Sequence, residues 1–201
     1  MRSRPPPDNE AKRAVAAAVR PILAPLGLKQ KGHSRHWIGD QRYWLALVEF
    51  EPDGAHAKVG AQFLWSAESH LVFDHGRRIE AATAEALARQ AAGEIVTLRQ
   101  TFASVADIAR HFSEAADGGD WPLFHRAVAT ALAGDTTLAR DLFARLAAKP
   151  AASDWQKKLH ADASDLARHL PDAPAFRAAI AETINRARAL HGLAADAGCL
   201  A

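Results

Sequence analysis

Ten histidines in the chain raise the first chemical question, whether they encode a metal or proton-transfer centre. His33 and His36 stand three residues apart. His70 and His75 flank Asp74, and with His56 they make a His/carboxylate set of the kind a metal-dependent hydrolase or nuclease uses. Two features count against that reading. A spacing of three on a strand sends His33 and His36 to opposite faces. No HExxH or HxH pair occurs either, and the only cysteine is Cys199. The plainer reading is structural or surface histidines, with no metal and no cofactor expected.

Other catalytic patterns are weaker. There is no Gly-x-Ser-x-Gly elbow, and Ser66, Ser69, Ser104 and Ser113 stand where linkers or helix caps are expected. Glu49 and Glu51 end an apolar stretch, a setting that could perturb a carboxylate for acid/base work. The alternative places both on the solvent face of an edge strand. Phosphate-cradling loops are absent, since no GxxxxGK[ST] and no GxGxxG follows a strand.

A binding surface is the positive reading. If Val59, Phe63 and Trp65 face inward, then His56, Lys58 and Gln62 face outward, near Lys29, Lys31, His33 and Arg35. Basic groups interleaved with Trp37 or Tyr43 suit an acidic protein partner or, second, single-stranded nucleic acid. Residues 1–42 hold nine of the 25 Lys/Arg and three of the 23 Asp/Glu, leaving 16 and 20 for the rest. The overall net charge of +2 hides this asymmetry, although solvated helix faces would produce it too.

Around these residues the chain must build elements that position them. With 201 residues, 47 of them Ala, 49% hydrophobic and 24% charged, it has the composition of a helix-rich globular protein. The N-terminus lacks an apolar signal core and no run is long enough to span a membrane, so a cytoplasmic protein without membrane association is expected. Residues 1–8, with Pro5-Pro6-Pro7, read as a disordered arm ending in an Asp8 cap. Asn9–Ala24 carries one apolar stripe, Pro21 should kink or shorten that helix, and Gly27 should stop it.

The period then drops to two. His33–Ile38, Tyr43–Glu51 and His56–Trp65 are strand candidates, turning at Gly39-Asp40 and Pro52-Asp53-Gly54, and His70–Phe73 could lengthen the meander. After about Arg78 everything reads as helix: Glu80–Phe102, one capped by Ser104, then Trp121–Ala133, Thr136–Ala148, one from Ser153 or Asp154, and Ala175–Leu190. Asp117-Gly118-Gly119-Asp120 is the sharpest boundary. Ala127–Ala148 resembles one tetratricopeptide-type hairpin, without a second copy.

The order of helix, Pro25-Leu26-Gly27-Leu28-Lys29-Gln30-Lys31-Gly32, a strand ending in Trp37, Tyr43–Phe50 and Lys58–Trp65 resembles the bacterial family known as domain of unknown function 4304, over about residues 9–114. Leu28 stands where that family usually has an aromatic, and Gln30 interrupts its basic pair. The resemblance implies an α+β fold and brings no activity, cofactor or catalytic residue. The expectation is therefore an α+β domain at 9–116, with three or four antiparallel strands backed by helices, followed by an all-α bundle at 121–193. The function expected is that of a non-enzymatic protein-binding module, by analogy immunity- or toxin-associated.

Overall fold

The computed structural model describes residues 7–52, 54–66, 68–114 and 119–200, with side chains from residue 13 onward. The expected arm at 1–8 therefore lies outside the described residues, apart from Pro7 and Asp8. These two open helix α1 (Pro7–Leu23), where a proline fits because the first turn needs no donor. Pro21 sits inside α1 near its end, and Gly27 takes a left-handed φ of 76° to close the 3-10 turn that follows.

The fold is α+β. Five strands, β1 (Leu28–Gln30), β2 (His36–Asp40), β3 (Trp44–Phe50), β4 (His56–Phe63) and β5 (His75–Glu80), pair antiparallel in chain order. Six helices follow: α2 (Ala84–Thr101), α3 (Val105–Glu114), α4 (Asp120–Leu132), α5 (Thr136–Ala147), α6 (Asp154–Ala167) and α7 (Ala173–Leu190). No described helix is long and apolar enough to cross a membrane.

Several boundaries differ from the sequence reading. Gly39 and Asp40 belong to β2, and the chain turns instead at Arg42, whose φ of 72° is left-handed. His33 lies in the β1–β2 turn. Residues 70–74 form no strand, while β5 runs to Glu80, beyond the Arg78 after which helix is expected. Trp65 has left the sheet for a 3-10 turn at Leu64–Ser66.

The chain forms two compact units: residues 1–63 with 70–99, and residues 64–69 with 100–201. The contact boundary thus falls at Arg99/Gln100, which puts α3 in the second unit. Of the sequence boundary at 117–120, Asp117 and Gly118 lie outside the described residues.

In the sheet unit, strand alternation sorts the side chains. One face stacks Trp37, Val48 and Val59 side by side, with Phe50 beside Ala57 and Ile79. Arg77 shares that face and pairs with Glu94 of α2, which places α2 there with Leu87, Ala91 and Ile95 buried. Across the other face runs the segment 70–74. Gln62 donates to the His70 carbonyl (3.1 Å) and accepts from the Val72 N–H (3.4 Å), while Asp74 accepts the Phe63 N–H at 2.7 Å. Paired Gly60 and Gly76 leave the floor on which the Phe73 ring rests. A β-carbon on Gly60 would meet the His75 carbonyl oxygen at 2.1 Å and Phe73 Cδ1 at 2.9 Å, so only glycine fits.

In the helical unit, α5, α6 and α7 each begin at a side-chain cap. Asp135 caps α5 and Asp172 caps α7, each accepting a backbone N–H within 3.0 Å, and Ser153 with Gln156 forms a capping box at α6. The α4–α5 hairpin turns at Gly134, with φ 101°. Cys199 is buried.

Candidate functional site

The sequence-derived surface is only partly assembled. Lys29, Lys31, His33 and Arg35 cluster along β1 and the turn that leads into β2, and the first three are exposed. Strand pairing sets His36, Glu49, Lys58 and Arg78 side by side on one face. Glu49 therefore lies between His36 and Lys58, and His36 Nε2 sits 3.3 Å from its carboxylate. Glu51 takes both hydrogen bonds of a bidentate Arg78 at 2.7 Å, and Glu80 lies 3.7 Å from His56. Lys58 rests over the Phe73 ring, 4.5 Å from its centroid.

Three expectations are corrected. Gln62 does not face outward: it is 1% exposed and anchors residues 70–72. β3 is the middle strand rather than an edge, so Glu49 and Glu51 are partners in cross-strand ion pairs. Trp37 is buried on the opposite face and offers nothing for a base to stack on.

The His56/Asp74/His75 set does not converge. His56 lies opposite Glu80 and His75 opposite Ala61, five residues along β4, roughly 16 Å at about 3.3 Å per residue. The odd interval also turns them to opposite faces. Among the described residues no three His, Cys, Asp or Glu side chains are placed to share a metal ion.

The polar and aromatic features that stand out are in the helical unit. Trp65 donates its Nε1–H to Nδ1 of His125, 3.0 Å away and fully buried. That bond makes Nδ1 the acceptor nitrogen of the neutral ring. Phe112, Phe124 and Trp121 surround the same imidazole at centroid distances of 5.7–5.8 Å. Trp121 stacks in turn on Trp155, with planes 9° apart and centroids 6.3 Å apart. The column ends at the surface, because Trp155 is 49% exposed.

Beneath Trp121, Asp120 is 6% exposed at the first position of α4, where the helix dipole favours an anion. Lys149 Nζ lies 2.7 Å from Oδ1. The Gln156 amide donates to Oδ2 at 3.0 Å, and His160 Nε2 approaches within 3.7 Å. Burial alone would raise the carboxyl's pKa. The bonds from Lys149 and Gln156, with the charges of Lys149 and His160, outweigh burial and hold it below the ordinary aspartate value. A carboxylate held this firmly ionised is a poor base near neutrality. It is a structural anchor.

One turn further along α6, a cleft of about 380 Å³ opens over Trp65, Phe124 and Leu166. Its walls are charged. Lys158 pairs with Asp162 at 2.5 Å, and Asp165 pairs with Arg168. Arg186 of α7 donates to the Thr183 hydroxyl at 3.3 Å and, among the described residues, is in no ion pair. Trp155 and Asp162 are seven apart on α6, hence on one stripe with the cleft. The sequence pattern does not single out this surface. Its one local sign is a tryptophan directly after an acid at both Asp120-Trp121 and Asp154-Trp155.

No family model, curated protein or solved structure matches the chain.

Proposed function

We propose that the chain is a non-enzymatic protein-binding module whose contact surface lies on the helical unit, from Trp155 along α6 to the cleft at Arg186. The observation that carries this reading is the surface end of the aromatic column. A tryptophan half-exposed, yet fixed by stacking on Trp121, is preorganised to bury apolar area on contact. The complementary partner is a peptide segment that presents an apolar side chain to Trp155 or the cleft floor and a carboxylate to Arg186. The sheet face supports nucleic-acid binding less well, because Glu49, Glu51 and Glu80 break its basic row. The resemblance at residues 9–114 accords with this reading and adds no ligand.

The test is capture of partners from native extract on the tagged full chain, at low and high salt. A stoichiometric protein retained at high salt is expected, with affinity weakened at least tenfold by Trp155→Ala and several-fold by Arg186→Gln. Recovery of nucleic acid alone, or a partner indifferent to both substitutions, would overturn the proposal.

A further inference from the structure

A second cleft of the helical unit, about 230 Å³, opens among α3, α4 and α5. It is smaller than the roughly 300–1,000 Å³ pockets that take drug-sized ligands. Arg126 and Thr130 line it from α4, one helical turn apart and therefore on the same face. Among the described residues Arg126 makes no hydrogen bond or ion pair, and its Nε is shielded from solvent. Thr130 is 5% exposed, and its side chain lines the same cleft. The neighbouring polar groups are already engaged. Arg110 pairs with Asp107 at 2.9 Å, Ser113 donates to the Arg110 carbonyl, and Asp135 accepts the Leu138 N–H as a helix cap.

The Nε–H of Arg126 can only donate, so shielding that one group without an acceptor is unfavourable, while the side chain as a whole is half-buried. Ala109, Ala133 and Leu138 complete the walls with apolar surface, which strengthens any charge interaction formed inside. The missing element is an acceptor of negative charge. We propose that the Arg126–Thr130 cleft binds a small oxyanion, a carboxylate or phosphate group, held by the Arg126 guanidinium with the Thr130 hydroxyl as a further donor. The Asp135 carboxylate in the lining favours a monoanion over a dianion. This inference stands apart from the protein-binding surface, which uses none of these residues.

The experiment follows the arginine Nε–H resonances of the full chain by NMR. Acetate, inorganic phosphate or chloride is titrated in at matched ionic strength. A saturable shift of the Arg126 Nε–H with acetate or phosphate, and none with chloride, is expected. The two arms separate carboxylate-bearing from phosphate-bearing ligands. Arg126→Lys should weaken binding at least tenfold and Thr130→Val several-fold; if the first variant does not fold, the second still tests the site. No saturable shift with either ion, or equal binding by the wild type and Thr130→Val, would overturn the proposal.

Discussion

The outer face of the sheet and the surface of the helical unit treat charge in opposite ways. On the sheet, each carboxylate stands beside a basic side chain from another strand: His36 with Glu49, Arg78 with Glu51, His56 with Glu80. On the helices, Arg126 and Arg186 line clefts and, among the described residues, are in no ion pair, although Asp135 lines the first cleft and Asp162 and Asp165 the second. The cross-strand rows satisfy the sheet's own polar groups. The helical clefts leave donors directed at space that another molecule can occupy. A basic stretch in sequence is therefore a poor guide to a binding surface until pairing has been counted.

The sharpest way to break the comparison is to open the sheet face. Gly60→Ala drives a methyl into the His75 carbonyl and the Phe73 ring. It should cost about 3 kcal/mol, at the upper end for overpacking, and release the segment 70–74. Thermal unfolding with amide exchange at Val72 measures both; unchanged stability would mean that Phe73 does not seat there.

A smaller effect is expected where the helical unit does pair its charges, at Asp120. Because the folded carboxyl has a lowered pKa, its contribution is complete above the unfolded value near 4 and fades as pH falls through the folded one. Asp120→Asn should remove about 2 kcal/mol at pH 7 and flatten the acid limb of the stability curve. Urea midpoints from pH 2 to pH 7 read this out, and parallel curves for both proteins would contradict it.

The smallest effect belongs to the exposed row. Arg78→Gln should change stability by less than about 1 kcal/mol, since both partners are substantially solvated. A loss beyond that would show that the row supports the sheet as well as neutralising it.

Much of the architecture was legible beforehand. β3 and β4 announce themselves through aromatic and branched residues, and α4 through α7 through aligned apolar stripes and caps. β5 was not legible, because only Ile79 in His75–Glu80 is buried and four residues are exposed. The binding residues depended on register, which decides who stands opposite whom and which no local pattern contains. Gln62 alternates correctly yet is buried, because residues 70–74 return over it. Asp120 ends the Asp117-Gly118-Gly119-Asp120 boundary in sequence, and its partners come from residues 149–160, beyond any local pattern. The Trp65–His125 bond joins residues 60 apart, beyond any local signal.

Residues 64–69 belong to the helical unit although the chain on either side belongs to the sheet unit, so the backbone passes between the two three times. The two units are consequently not interchangeable cassettes. A gene crossover at Arg99 would hand the descendants a helical half with no indole to satisfy His125, and a sheet half with a tryptophan it does not need. A single crossover at that point therefore cannot exchange either unit whole.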